Sequence, residues 1–244
     1  KKKSNIGEKY TMQKRKMKGI RIAVDGYSST GKSTMARQLA AALNFRYIDT
    51  GAMYRAVTYW ALEQGYFQEG ELMEAALIES LARLNLDFQF SESEGKPVIH
   101  VNGRAVEREI RGAEVASKVS IVAQISEVRR FLVKQQQAIA EAGSVVMDGR
   151  DIASVVMPDA ELKIFMTADP EIRAQRRFAE LQSKGMEMTL EEVAKNLEER
   201  DYLDTHREDS PLIQTKDALV LDNTDLGMEE QLNLALSWAK ERQA

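Results

Sequence analysis

Apolar residues along the chain come in short blocks, and their spacing switches repeatedly between strand-like and helix-like. Ile20–Val24 is a compact apolar run that leads straight to Gly26 and predicts a buried strand. After Lys32, Met35, Leu39 and Leu43 recur at helical spacing, and Phe45–Ile48 returns to strand character. Thr50 is placed to cap a second helix, where Met53, Val57, Trp60 and Ala61 mark one face. The middle changes character. Leu77, Leu81 and Leu84 predict a helix, then Leu86, Phe88 and Phe90 alternate as one strand and Pro97, Ile99 and Val101 as another, followed by the hairpin signal Asn102-Gly103. Val115, Val119 and Val122, and then Val128, Leu132 and Ile139, predict two further helices.

From Ser144 strands and helices alternate again. Ser144–Met147 and Leu162–Thr167 are predicted strands, Asp169-Pro170-Glu171 opens a helix, and Thr189 with Glu192 spells a capping box. Ala218–Leu221 is a last core strand, and Met228, Leu232, Ala235 and Ala239 line a closing helix. Five apolar strands separated by helices predict an α/β protein, a three-layer fold with a five-stranded parallel sheet covered on both faces. Residues 63–111 read as an α+β insertion. The expected organisation is a basic leader over 1–17, a core over 18–62 and 112–244, and the inserted subdomain over 63–111.

Composition narrows the chemistry. The 244 residues include no Cys, which excludes a disulfide scaffold, a thiolate zinc site and a cysteine nucleophile, and two His are too few for a histidine metal cluster. The apolar runs are far shorter than the roughly 20 residues that span a bilayer, so a soluble, cytoplasmic protein with no membrane partner is expected. A net charge of −4 argues against a nucleic-acid binder. The exception is the start, where Lys1, Lys2, Lys3, Lys9, Lys14, Arg15, Lys16 and Lys18 cluster without aromatic interleaving or an apolar run. It reads as a disordered leader, with a nucleic-acid or membrane arm as the alternative.

The segment Gly26-Tyr27-Ser28-Ser29-Thr30-Gly31-Lys32-Ser33 matches G-x-x-x-x-G-K-[ST], with a strand before it and a helix after it. Polyphosphate binding needs this spacing, because glycines let backbone N–H donors wrap the oxygens while the helix that follows points its positive end at them. Gly26, Tyr27, Ser28, Ser29, Thr30, Gly31, Lys32, Ser33 and Thr34 are therefore the expected ATP-binding residues. Lys32 reaches the terminal phosphates and the Ser33 hydroxyl is set for Mg²⁺. The core is thus a P-loop NTPase fold.

A P-loop alone leaves GTPases, motors, transporter ATPases and kinases open. The Asn-Lys-x-Asp and Asp-x-x-Gly motifs of GTPases are missing. In their place arginines follow the strands: Arg55, Arg150 inside Asp148-Gly149-Arg150-Asp151, the set Arg173, Arg176 and Arg177, and Arg200 and Arg207 flanking Asp201 and Asp204. Two phosphates that must meet repel each other, and permanently charged, forked guanidinium groups are suited to hold them together.

At these residues the chain resembles the bacterial cytidylate kinases, from about Gly19 to Lys240. The resemblance rests on the P-loop after Ile22-Ala23-Val24-Asp25, on Asp49-Thr50-Gly51-Ala52-Met53-Tyr54-Arg55, on Met147-Asp148-Gly149-Arg150-Asp151-Ile152 leading to Val155-Val156-Met157-Pro158-Asp159-Ala160, and on Glu199-Arg200-Asp201 with Asp204, Arg207 and Ser210-Pro211-Leu212. It departs from the family at Tyr27, where Pro is common, at Thr50, where Ser is frequent, and at Ala153-Ser154, where Gly-Thr is usual.

The resemblance implies transfer of the ATP γ-phosphoryl group to CMP or dCMP in pyrimidine nucleotide metabolism, with Mg²⁺. It makes residues 63–111 a monophosphate-binding subdomain and residues 172–186 a helical lid. It implies that Thr50, Arg55 and Arg150 hold the CMP phosphate, that Ser120, Arg129 and Asp151 face the cytosine, and that Arg200, Asp204 and Arg207 meet the ribose side. Lys32, Arg150, Arg173, Arg177 and Asp148 are the expected catalytic set, and Asp148 and Asp25 are candidates for orienting metal-bound water. No sign of an oligomer interface is legible, so a monomer acting on small nucleotides is expected. A kinase for UMP or AMP and a catalytically silent nucleotide-binding protein are the competing readings.

Overall fold

The structure, a computed structural model, describes residues 19–92 and 96–243. The leader expected over residues 1–17 lies outside the described residues. In chain order the elements are β1 (Arg21–Gly26), α1 (Lys32–Leu43), β2 (Arg46–Asp49), α2 (Thr50–Glu63), β3 (Phe67–Gln68), β4 (Glu71–Leu72), α3 (Glu74–Ser80), β5 (Leu86–Ser91), β6 (Lys96–Val101) and β7 (Arg104–Ala105). There follow α4 (Ala113–Val122), α5 (Ser126–Glu141), β8 (Val145–Gly149), β9 (Leu162–Thr167), α6 (Pro170–Ser183), α7 (Leu190–His206), β10 (Leu219–Asp222) and α8 (Met228–Gln243).

The five-stranded sheet has the order β10-β9-β1-β8-β2, with every pairing parallel. Apolar side chains leave its strands on both faces, which is why the strand sequences read as unbroken apolar runs. Ile22 and Val24 of β1 and Val146 of β8 pack with Leu39 and Ala40 of α1 and Ala235 and Ala239 of α8. Ala23 of β1 and Val145 and Met147 of β8 pack on the other face with Ala140 of α5 and Ile152 and Val156. The P-loop fold predicted from the sequence is the one observed. Among the described residues no helix is long and apolar enough to cross a membrane.

Residues 63–111 contain two small antiparallel sheets and α3. Their apolar side chains, with Leu77, Ile99 and Ile110 at the centre, join Met53 and Val57 of α2, Val115 of α4 and Leu132 of α5 in one cluster. Asn102 and Gly103 both take positive φ (49° and 83°), the tight turn that Asn-Gly favours between β6 and β7. Helices α6 and α7 bury Ala174, Leu181, Val193 and Leu197 against each other, apart from the sheet's own cores. Both of their predicted starts are observed: Asp169 accepts from Glu171 N at 2.8 Å, and Thr189 and Glu192 close a capping box.

Two local expectations are corrected, and one element stands where none was expected. Helix α3 stops at Ser80, and Leu81–Arg83 form a single 3₁₀ turn. Leu77, Leu81 and Leu84 are all buried in one cluster, so their spacing recorded burial and not a continuous helix. The cap of α2 is Asp49, which accepts from Ala52 N at 2.9 Å. Thr50 is the first helical residue, and its hydroxyl donates to Asp148 O at 2.7 Å. Ile152–Val156 form a π-helical turn that no periodicity announced.

Candidate active site

Strand β1 delivers the chain to the loop at Gly26, where a Cβ would lie 2.1 Å from the Met166 carbonyl oxygen, so only glycine fits. The loop ends at Gly31, with φ 81° and no side-chain cap on α1, which keeps the positive end of that helix directed into the loop. Lys32 is buried, and its Nζ donates to Tyr27 O at 3.3 Å. Burial, reinforced by Arg150, pushes its ammonium down to about 7. Ser33 Oγ donates to Asp148 Oδ2 at 2.6 Å and Tyr47 OH to Asp148 Oδ1 at 2.7 Å. Burial, with Asp49 nearby, pushes the Asp148 carboxyl up to about 6.

From this loop a cleft of about 510 Å³ runs along the start of α2, the α4–α5 junction, the end of β8 and α7. Nine Lys or Arg side chains line it against five Asp or Glu, a positive excess in a chain whose net charge is −4. The cations crowd one another. Arg200 is pushed down to about 10 by burial and Arg150, Arg55 is lowered by burial and Arg111, and Arg207 by burial and Arg129. A cleft built at that electrostatic cost is suited to anions.

Arg150, at the end of β8, donates from Nε to Asp204 Oδ2 at 2.7 Å and from Nη2 to Ser28 Oγ at 2.9 Å. Deeper in, Arg129 Nη2 donates to Asp151 Oδ2 at 2.5 Å, with both residues almost fully buried. The Arg129 guanidinium also lies 5.5 Å from the centre of the Tyr54 ring. Around this pair Tyr54 OH, Arg129 Nε and Arg207 Nη2 are buried without a hydrogen-bond partner. Buried polar atoms are normally satisfied, so these three are available to a polar ligand. The arrangement can hold a polyphosphate at one end and a second phosphate and a polar ring at the other.

The family model for cytidylate kinase matches residues 22–241. The chain is 54% identical over 220 residues to a cytidylate kinase of Flavobacterium johnsoniae, covering 90% of this chain and 96% of that one. It is 53% identical over 215 residues to one of Parabacteroides distasonis (88% and 94%) and 46% identical over 224 residues to one of Porphyromonas gingivalis (91% and 95%). The chain belongs to the cytidylate kinase family.

In this cytidylate kinase chain the cleft wall brings together Ser28, Ser29, Gly31, Lys32, Ser33 and Thr34 of the loop with Thr50, Arg55, Ser120, Arg129, Asp148, Arg150, Asp151, Arg177, Arg200, Asp204 and Arg207. Gly26, Tyr27, Thr30 and Arg173 lie off the wall. Thr30 Oγ1 donates to Tyr27 O at 3.1 Å, and Asn223 Nδ2 donates to Thr30 O at 2.6 Å, so these residues shape the loop. Arg173 is buried beneath it, donating to Asp201 Oδ2 at 2.5 Å, to Ala168 O and to Ser28 O, with its guanidinium 5.2 Å from the Tyr27 ring centre. Asp25 is off the wall too: its carboxylate is taken by the N–H groups of Ile152 and Ala153, and burial pushes it up to about 7. Sequence reasoning passed over Tyr54 and Asp49 as site residues, although both stand in the block that ends at Arg55. It also missed Arg111, which lines the same cleft and donates to Asp49 Oδ2 at 2.8 Å from 62 positions further along the chain, where no local motif points to it.

Proposed function

We propose that this chain transfers the γ-phosphoryl group of ATP to CMP or dCMP, and that the cleft residues above carry the reaction. The observation that supports the acceptor most directly is the buried Arg129–Asp151 pair, surrounded by unpartnered polar atoms at the end of a cationic cleft. Cytosine presents an exocyclic amino donor beside ring acceptors. A carboxylate to receive the amino group, next to guanidinium donors, matches that edge. Uracil carries a carbonyl in place of the amino group and would face the Asp151 carboxylate with a repelling oxygen. A missed partner in a buried site costs about 1–3 kcal/mol, more for a charge.

In this mechanism the loop N–H groups and Lys32 hold the ATP phosphates, and Arg55, Arg150 and the N-terminus of α2 hold the acceptor phosphate. The proton of the Thr50 hydroxyl is committed to Asp148 O, so Thr50 serves the acceptor through its N–H. Arg150 contacts the loop through Ser28 and the acceptor wall through Asp204, which suits it to neutralise charge on the transferring group. Arg177 approaches from the α6 side, and Arg200 and Arg207 with Asp204 face the ribose. The acceptor is already a phosphate oxygen, so in-line transfer needs neither a covalent enzyme intermediate nor a dedicated base. Closure of residues 172–186 over the loop, as a lid, excludes water that would otherwise hydrolyse ATP.

Mg²⁺ belongs to this reading. The Ser33 hydroxyl and the Asp148 carboxylate, 2.6 Å apart, are the hard oxygen donors that suit it, directly or through water. Bound there with the ATP phosphates, it supplies charge neutralisation of their oxygens. Within the same reading the chain is a cytoplasmic monomer acting on nucleotides, with no nucleic-acid or membrane partner.

An ADP-release assay with CMP, dCMP, UMP, dTMP, AMP and GMP tests the proposal. Turnover with CMP and dCMP well above the others is expected. Preference for UMP would overturn the reading of Asp151, and no turnover with any acceptor would overturn the enzyme itself.

A further inference from the structure

An aspartate that opens a helical turn ordinarily folds its carboxylate onto the N–H groups of the next residues, because the first turn leaves those donors without partners. Asp151 stands in that position before the π turn Ile152–Val156, where Val155 N and Val156 N donate to Asp151 O and Met157 N donates to Ile152 O. Yet its side chain makes no capping bond. The donors of Ile152 and Ala153 go instead to Asp25 on β1, at 2.9 Å to one carboxylate oxygen and 2.7 Å to the other. Asp25, Ile152 and Ala153 are all buried, so water is no substitute partner.

We propose that Asp25 is a positioning residue for acceptor recognition: by capping this turn from a neighbouring strand, it leaves the Asp151 carboxylate free to pair with Arg129 and face the acceptor base. The proposal rests on the reading of Arg129 and Asp151 as the base-recognising pair. Without an acceptor at position 25, the two buried N–H groups have the Asp151 carboxylate as the acceptor ordinarily used at this position. Turning it back onto them would weaken the Arg129 pair. Leaving buried donors unpaired carries a cost comparable with that of loosening this pair, so the freed N–H groups compete with Arg129 for the Asp151 carboxylate.

The surroundings transmit the cap's position closely. A Cβ on Gly149, which is paired in register with Asp25, would come 2.6 Å from Thr50 Oγ1 and 2.7 Å from Ile152 Cδ1. The end of β8, the start of α2 and the π turn are therefore packed without slack, so a shift of Ile152 reaches Arg150 and Asp151 directly. Asp25 is also followed at once by Gly26. One strand thus carries the loop for the phosphoryl donor and the cap for the acceptor reader.

Asp25→Asn tests this, since it keeps the side chain's shape but turns an amide N–H toward one of the two donors. The KM for CMP is expected to rise about tenfold, and the CMP-to-UMP ratio of kcat/KM to fall about tenfold, while the KM for ATP moves less than about threefold. Exchanging Ala153 for its α-hydroxy counterpart, lactic acid, removes one N–H donor and leaves Asp25 untouched. Here no freed donor remains to draw Asp151 back, but the turn loses half of its anchor on Asp25 and can shift against Gly149. The same two parameters are therefore expected to move in the same direction by a smaller factor, and this variant carries the test if Asp25→Asn does not fold. A residue that merely supports the fold would raise both Michaelis constants together. That result, or an unchanged CMP-to-UMP ratio, overturns the proposal. The wild-type chain assayed alongside separates the two readings: if it prefers another monophosphate, the CMP assignment fails by itself, and the role of Asp25 is read from the KM for that acceptor against the KM for ATP.

Discussion

Arg150 donates to the hydroxyl of Ser28 at 2.9 Å, which puts the arginine at the end of β8 in direct contact with the loop that follows β1. Its other strong bond, to Asp204 on α7, ties the same guanidinium to the opposite wall. In the proposed function this is the meeting point of the two phosphates, where a cation acts on charge that develops during transfer. Arg150→Met is therefore expected to lower kcat with CMP by about a hundredfold, with at least a tenfold loss needed to sustain its role. Steady-state kinetics with CMP and ATP each varied check this.

Asp151→Asn separates recognition of the acceptor from catalysis. The amide cannot offer the full negative charge that Arg129 and an exocyclic amino group both use, yet it can donate to a uracil carbonyl. The CMP-to-UMP ratio of kcat/KM is expected to fall roughly a hundredfold, the equivalent of about 2.7 kcal/mol. Leaving Arg129 buried beside a neutral partner also costs stability, of the order of 3 kcal/mol, which a denaturant titration would register.

Lys32 is held below its ordinary value by burial first and by Arg150 second. A depressed lysine means that the folded chain binds its proton less readily than the unfolded one, so the buried ammonium subtracts from stability around neutral pH. Lys32→Met is expected to abolish detectable phosphoryl transfer while raising the stability of the nucleotide-free chain by about 1 kcal/mol, or about 2–4 °C for a chain of this size. Thermal melts and an ADP-release assay on one preparation test both halves. A variant that is inactive and also less stable would contradict the electrostatic account.

Much of this was legible in the chain itself, for physical reasons that differ from element to element. The strands β1, β8 and β9 are buried on both faces, so their apolar runs announced them. Asp169-Pro170 and Thr189 with Glu192 announced helix starts because they satisfy local donors. The loop from Gly26 to Ser33 was readable because close approach to phosphate permits few sequences. What escaped depended on distance. Arg111 reaches Asp49 from 62 positions away, and Asp25 caps a turn 127 positions on. The burial of Arg173 was hidden as well, since Arg173, Arg176 and Arg177 look alike on a helix until Asp201 and Tyr27 are seen to enclose only the first.

That difference can be measured. Arg173 and Asp201 have side chains only 9% and 13% exposed, whereas Arg177 and its partner Glu180 are 31% and 46% exposed. Removing one partner of a buried pair strands the other, so Arg173→Met is expected to cost roughly 3 kcal/mol of stability. Arg177→Met, at an exposed pair, is expected to cost less than about 1 kcal/mol. Because Arg177 lines the cleft, its loss is expected to lower kcat by about tenfold or more with little change in melting temperature. Equal stability losses in the two variants would remove the distinction between a brace and a lid cation.

The cap at Asp25 carries a thermodynamic signature of its own. Burial raises its carboxyl to about 7, and its neighbour Asp151 adds in the same direction, while Lys32 and the two N–H donors pull it back. A raised carboxyl means that the folded chain holds this proton between about pH 4 and pH 7 while the unfolded chain has released it. The folded state then binds more protons than the unfolded state, and linkage requires stability to fall as pH rises through that window and to level off above about 7. Urea titrations of the wild type at pH 5, 6, 7 and 8 are expected to show the Asp25 contribution as a decline of at most about 1.4 kcal/mol per pH unit, flattening at the upper end. Asp25→Asn cannot titrate, so the stability of the wild type relative to it should rise by the same increments toward acid pH. A constant difference across the four values would mean that the carboxyl is ionised throughout, and the balance between burial and N–H donation at this cap would have to be redrawn in favour of the donors.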